Sequence, residues 1–290
     1  MAAYGAVAYY QRMSAQVPVT PRPAATVIML RPAATGVEVL LTRRSASMAF
    51  MGGEWVFPGG AIAKADSALA ANCFAVAACR ESFEETGILL ATDTAGRPCE
   101  PKLVRKLLDR RAAIRADAAE FATMLQQQHL QLDFARLGYW ARWITPAVIS
   151  RRFDTHFFVI AAPYGQDVVC DHQETTEAHW LLLEGAEPNV AITPPIGSPP
   201  TLYALLEIAT AYALHRSVPA IIQIANRRNV HPVMPKQAHI DGESHVLFPW
   251  DPQYAETPGE GVPCDITLRE RYADFPSRRR AVLPTGLLRQ

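Results

Sequence analysis

Glu81, Glu84 and Glu85 form a Glu-x-x-Glu-Glu run, with Arg80 immediately before it and Gly87 just after. Residues three and four apart share one helix face, so on a helix these carboxylates converge. Three like charges on one turn repel. The cost is relieved when a divalent cation lies among them, because carboxylate oxygens suit hard ions such as Mg²⁺ or Mn²⁺. Arg80 stands beside the cluster, where a planar guanidinium orients a carboxylate or holds a phosphate oxygen. Gly87 is suited to end the helix, having no Cβ to oppose a left-handed conformation. Upstream, Pro58-Gly59-Gly60 reads as a tight turn whose backbone donors form an anion cradle. An isolated run of this kind is more often a solvated helix face; the surrounding pattern sets this one apart.

From Gly59-Gly60 through Arg80-Glu81-Ser82-Phe83-Glu84-Glu85-Thr86-Gly87 to Ile88, that pattern resembles the Nudix box, the loop–helix–loop signature of Nudix hydrolases. Its second half, Arg-Glu-x-x-Glu-Glu-x-Gly, is present without substitution. The interval from Gly60 to Arg80 is longer than in the compact box and lacks the usual glutamate, leaving Asp66 as its carboxylate; Ser82 replaces an aliphatic residue. None of these changes removes a metal ligand. The resemblance implies an α/β (α+β) Nudix fold, a mixed β-sheet sandwiched between helices. It also implies metal-dependent hydrolysis of a diphosphate linkage by a deprotonated water, with no covalent intermediate. Glu84 and Glu85 are read as metal ligands and Glu81 as ligand or base, with Arg80 completing the catalytic set. Some family members place the base outside the box, and Glu174 and Glu177, in the acidic stretch Asp171–Glu177, are the candidates here.

Two further segments narrow the resemblance. Leu40-Leu41-Thr42-Arg43-Arg44-Ser45, followed by Gly52-Gly53-Glu54-Trp55-Val56-Phe57-Pro58-Gly59-Gly60, is similar to the element before the box in coenzyme A diphosphatases. Trp140-Ala141-Arg142-Trp143-Ile144-Thr145-Pro146 and Arg151-Arg152-Phe153-Asp154-Thr155-His156-Phe157-Phe158, with Glu174 and Trp180, are similar to the acyl-CoA diphosphatase subgroup. Coenzyme A carries a pyrophosphate and a 3′-phosphate, which require several cations; Arg43, Arg44, Arg151 and Arg152 are available, and Arg suits bidentate phosphate contacts. Gly60, Arg43, Ser45, Arg151 and Arg152 are the expected substrate contacts. The expected products are adenosine 3′,5′-bisphosphate and (acyl-)4′-phosphopantetheine. The alternatives are another nucleoside diphosphate derivative, such as ADP-ribose or a dinucleotide, and a ligand-sensing module that has lost catalysis. One departure is Met48-Ala49-Phe50, apolar where the compact CoA enzymes tend to carry a further basic residue.

The elements that must position these groups are legible in order. Ala25–Leu30 and Val37–Arg43 read as strands around a turn, and Glu54–Phe57 as a short strand feeding the glycines. Ser67–Thr86 reads as one helix capped by Asp66 or Ser67. Apolar spacing over Lys102–His129 predicts two helices inserted in the core. Tyr139–Ile144, Phe153–Ile160 and Ala178–Leu182 read as strands, and Thr201–His215 as a helix after the Pro194-Pro195 and Pro199-Pro200 breaks. Trp140 and Trp143 fall on opposite faces of their strand, with core packing expected for at least one. The organisation so read is an arm over 1–20, a Nudix domain over 21–216 with a helical insertion at about 100–135, and an extension over 217–290 that packs on the core.

Composition excludes several other classes. The 290 residues are 49% hydrophobic and carry 28 basic and 28 acidic side chains, which argues against a nucleic-acid or membrane-surface partner. The five cysteines are odd in number and form no Cys-x-x-Cys pair, so thiols in a reducing cytoplasm are expected rather than a disulfide framework. No apolar run spans a bilayer, and the first residues carry no basic start with an apolar block. The histidines show no zinc spacing, and Ser45 has no evident triad partners. The expected partner is a small nucleoside diphosphate substrate, with a homodimer left open.

Overall fold

The computed structural model describes residues 19–183, 196–240, 243–263, 266–272 and 278–280. Most of the expected arm, the Pro194-Pro195 break and Cys264 lie outside the described residues. The chain falls into two compact units: Pro23–Arg142 with Thr155–Val230, and Met1–Arg22 with Trp143–Asp154 and His231–Gln290.

The larger unit is built on strand β1 (Arg22–Pro32), buried without a break from Ala24 to Leu30. A continuous apolar run of this kind is what a strand covered on both faces requires. β2 (Val37–Arg44) returns antiparallel beside it, with Leu30 opposite Val39. β3 (Trp55–Val56) and β9 (Thr175–Leu183) pair with β2, and β4 (Gly59–Ala61) pairs with β1. On the far side of β1 the order continues through β8 (Phe153–Ala161) to β7 (Gly138–Ile144). The result is the expected α/β fold on one large mixed sheet.

The predicted 67–86 helix is two helices, α1 (Asp66–Leu69) and α2 (Cys73–Thr86). The chain breaks at 70–72, where the Asn72 side chain accepts the Ala75 N–H at 3.1 Å and starts α2 afresh. Neither Asp66 nor Ser67 caps the first helix; Asp66 instead accepts the Ala63 N–H and binds Arg80. Gly87 ends α2 as predicted, at φ 73° with its N–H on the Phe83 carbonyl. The expected turn at Gly59-Gly60 is drawn into the sheet, with Gly60 opposite Ala25 and Gly59 opposite Thr26. A Cβ on Gly59 would stand 2.4 Å from the Ala25 oxygen, so only glycine permits that approach.

The insertion holds three α-helices rather than two: α3 (Pro101–Leu107), α4 (Arg111–Ala116) and α5 (Ala119–Gln127), with a 3₁₀ turn at Leu108–Arg110. The extra break falls at Asp117, whose carboxylate accepts the Ala119 N–H. Val104, Leu107, Ile114, Phe121, Met124 and Leu125 join the core cluster that contains Met29, Leu40 and Phe83. β5 (Ala91–Asp93) and β6 (Leu130–Leu132) pair at the two ends of the insertion. After β9, α6 (Pro199–His215) and α7 (Val218–Arg227) complete the unit, the latter capped by Ser217.

In the smaller unit, β10 (Lys236–Ile240), β11 (Glu243–Leu247) and β12 (Arg278–Arg280) form an antiparallel sheet. Trp250 stacks between Phe248 and Tyr272, and Trp143 meets Phe248 and Trp250 edge-on. Trp143 and Trp140 are 3% and 1% exposed, so both indoles are core. Among the described residues no helix is long and apolar enough to cross a membrane.

Phe121, 1% exposed and facing Phe83 across 6.4 Å, tests whether the insertion is structural. Phe121→Ala is expected to cost about 3–5 kcal/mol, read as a lower denaturant midpoint. A loss below about 1 kcal/mol would mean that the insertion adds little to the core.

Candidate active site

Helix α2 presents its acidic turn inward. Glu84 and Glu85 are 6% and 4% exposed, and Arg80 is 4% exposed. Buried charges persist when each finds a partner, and Arg80 supplies most of them. Its Nε and Nη2 grip Asp66 at 2.8 and 3.0 Å, and Nη2 also donates to the Ala61 carbonyl. Its Nη1 donates to Glu81 at 2.9 Å and to Glu84 at 2.6 Å. Glu85 turns towards the glycines and accepts the Gly59 N–H at 3.1 Å. Gly60 lies against Glu81 so closely that a Cβ there would come within 2.5 Å of the carboxylate. Glycine at this position is therefore a condition for closing strand β4 on the acidic turn.

The electrostatics follow from this packing. Burial pushes Glu81 up to about 7, with Arg80 pulling it down and the Glu84 charge adding to the rise. Burial also raises Glu84 against the pull of Arg80 and Arg115, and raises Glu85 strongly, with the Glu81 charge behind it and Arg44 opposing. The Glu174 charge adds a smaller upward push on all three. Among the described residues no three His, Cys, Asp or Glu side chains close around a cation. The Arg80 guanidinium engages one oxygen of Glu81 and one of Glu84. The donor set nonetheless fits a hard divalent ion, since it is all carboxylate oxygen and its charge is under-compensated by one arginine.

The predicted site residues divide into groups. Glu174 lies in the segment before β9, with its carbonyl on the Ser45 N–H, while Arg80, Glu81, Glu84, Glu85 and Gly60 come together. Glu177 stands opposite Arg43 in the β2–β9 ladder and pairs with it at 2.8 Å. Arg43 also donates to the Gly53 carbonyl, so its guanidinium is engaged at the surface. Ser45 gives its N–H to the Glu174 carbonyl at 2.7 Å, and its hydroxyl meets that of Ser47. Arg151 and Arg152 belong to the smaller unit. Arg151 is exposed, whereas Arg152 is 2% exposed and is spent on the Val19 and Thr145 carbonyls and on Glu260.

Sequence reasoning missed two residues. Arg111, on α4, is buried and donates to the Glu84 carbonyl and to the Val169 carbonyl, and Arg115, one turn on, pairs with Asp171 at 2.9 Å. Nothing local signals either, because their partners lie far away in the chain. From the sequence Asp66 is the carboxylate remaining in the spacer and a candidate cap; its bidentate grip on Arg80 required the fold.

Residues 69–206 match the NUDT19 Nudix domain, and residues 20–102 match the NUDIX domain. The acyl-coenzyme A diphosphatase NUDT19 of Xenopus laevis is 27% identical over 197 residues, 49% of this chain and 52% of that protein. The protein of the same name from Homo sapiens is 31% identical over 116 residues, 37% of this chain and 31% of its own length. The chain thus spans about half the length of the first of these relatives and less of the second. A NUDIX hydrolase from Alicyclobacillus acidocaldarius superposes with a TM-score of 0.57 at 26% identity, covering 66% of this chain and 92% of that one. Nudix hydrolases generally use divalent metals. With the box intact on its helix, the sheet and helices around it, and matches running from residue 20 to 206, the chain belongs to the Nudix hydrolase family.

Proposed function

We propose that this protein is a divalent-metal-dependent diphosphatase that cleaves coenzyme A or an acyl-CoA to adenosine 3′,5′-bisphosphate and (acyl-)4′-phosphopantetheine. The observation that carries the reaction class is the cluster of half-buried Glu81 with buried Glu84 and Glu85 and one arginine among them. Glu81, Glu84 and Glu85 would hold Mg²⁺ or Mn²⁺, which supplies charge neutralisation of the diphosphate and acidification of a bound water. Asp66 fixes Arg80, so the guanidinium keeps its place when the carboxylates turn towards other ligands. Glu81 serves either as a further ligand or as the base, and Glu174 is the second candidate base. The substrate class rests on the NUDT19 domain match and on the relatives named acyl-coenzyme A diphosphatases. A cytoplasmic location belongs to the same proposal and rests on the thiol pattern.

A second reading, hydrolysis of ADP-ribose or a dinucleotide, is favoured by one observation. Arg43 is paired with Glu177, and Arg152 is consumed within the smaller unit. A substrate without a 3′-phosphate would need neither. The sensor reading would call for loss of a box acid, and all three acids are present.

Incubation with Mg²⁺ or Mn²⁺ and, separately, CoA, an acyl-CoA, ADP-ribose and a dinucleotide separates these readings. Release of adenosine 3′,5′-bisphosphate from the CoA compounds alone is expected; cleavage of ADP-ribose instead would keep the reaction and discard the substrate. Glu84→Gln removes a charge and little volume, and should lower kcat by about 100-fold or more with the circular dichroism spectrum unchanged. Wild-type turnover in that variant would remove Glu84 from the mechanism.

The raised acids also predict a stability profile. A carboxyl whose folded pKa exceeds its unfolded value holds its proton more tightly in the native state, so stability falls as pH rises between the two values. For Glu81 that window runs from 4.5 to about 7. Metal-free protein should therefore melt at a lower temperature at about pH 7.5 than at about pH 5, and added Mg²⁺ should restore more stability at the higher pH. Equal metal-induced shifts at both values would argue against metal binding by these acids.

A further inference from the structure

Helix α2 ends with its last carbonyls pointing out of the helix, and each needs a donor. Gly87 serves Phe83, and the Val169 N–H serves Thr86 at 2.8 Å. The Glu84 carbonyl is served by Arg111, through Nε at 2.9 Å and through Nη2. The same guanidinium spans to the Val169 carbonyl at 2.7 Å through Nη1. A cation at a helix C-terminus is favoured by the helix dipole, and a planar fork can hold two carbonyls at once. Arg111 thus joins the turn that carries Glu84 and Glu85 to the segment that leads to Glu174.

That segment is held along its length. The Gln166 side chain brackets both backbone groups of Leu89 at 2.8 and 3.1 Å. Asp171, its side chain 2% exposed, takes Arg115 at 2.9 Å and accepts the N–H groups of Gln173, Glu174 and Thr175. Glu174 is therefore fixed at its N–H by Asp171 and at its carbonyl by Ser45. We propose that Arg111 and Arg115, both from the helical insertion, are positioning residues that hold the segment carrying Glu174, a candidate base, beside the turn of α2 that carries the box carboxylates. Neither side chain contacts the substrate in this scheme. The insertion then serves the reaction as well as the core. The inference rests on the hydrolytic reading of the site.

The test uses the full chain and two readouts. Arg115→Ala should lower kcat on the substrate identified by the product assay by about 10- to 100-fold, the range expected from a small misplacement, with KM within about twofold. Arg115→Lys keeps a cation on Asp171 and should recover most of the rate. Arg111→Lys keeps the charge but not the two-carbonyl fork, and should behave like Arg115→Ala. Arg105→Ala, on an exposed helix position paired loosely with Asp167 at 3.7 Å, should leave kcat unchanged. Hydrogen exchange of the 169–175 amides is read in parallel and should accelerate about tenfold or more in Arg111→Lys and Arg115→Ala. Unchanged exchange in both would overturn the clamp whether or not turnover is seen. Faster exchange with kcat unaltered, or with a loss of rate entirely in KM, would overturn the positioning role while leaving the hydrolytic reading intact. A wild-type protein inactive on every diphosphate, with exchange responding as expected, would sink the hydrolytic reading and the positioning role with it, while the clamp stood as structure.

Discussion

The contact between Arg80 and Asp66 governs the rest of the site. Three glutamates on one inward-facing turn would not stay ionised in an apolar interior, because burial penalises each charge and each penalises the others. Arg80 relieves part of that cost by donating to Glu81 and Glu84, and it stays in place because Asp66 takes the opposite edge of its guanidinium. Removing one member of such a network costs more than the network itself contributes, since the remaining charge is left buried without its partner. Asp66 sits in the long spacer of the box, and the break between α1 and α2 folds that spacer so that the aspartate reaches back to the helix. An elongated box therefore closes on its own arginine.

The glycines carry the second constraint. Gly59 lets β4 pair against β1, Gly60 lets that strand lie against Glu81, and Gly87 both ends α2 and leaves room for Leu108 of the insertion. A Cβ on Gly87 would meet the Leu108 side chain at 2.8 Å, on a backbone already at φ 73°. The same position thus ends the helix and admits the insertion against it. That packing brings α4 to the helix end, where Arg111 finds the Glu84 carbonyl.

Away from the acids, other arginines pack against an aromatic ring or buried partners. Trp140 is buried beneath Arg228, whose guanidinium lies 4.2 Å from the ring while pairing with Glu207 at 2.6 Å. Trp143, on the other face of β7, packs with Phe248 and Trp250 in the smaller unit. Arg152 shows how a sequence resemblance and a side chain's actual work diverge. It sits among segments similar to those of acyl-CoA diphosphatases, yet every hydrogen bond described for it holds its own unit together.

The sequence by itself determined the acidic helix, its glycine stop, the first strand and the family. Each depends on residues close in the chain: three- and four-residue spacing puts carboxylates on one face, and a continuous β-prone run marks a strand. It did not show the break at Asn72 or the three-helix insertion, because a local backbone N–H donated to one Asn or Asp side-chain oxygen marks each. It could not separate Glu174 from Glu177. The two lie three positions apart with the same chemistry, and only the β2–β9 register gives Glu177 to Arg43 and leaves Glu174 outside that pair. The carboxylate Asp66, and the arginines Arg111 and Arg115, acquired their roles from tertiary structure alone, since a charged side chain declares a partner only when folding brings that partner within hydrogen-bond reach and takes the water away.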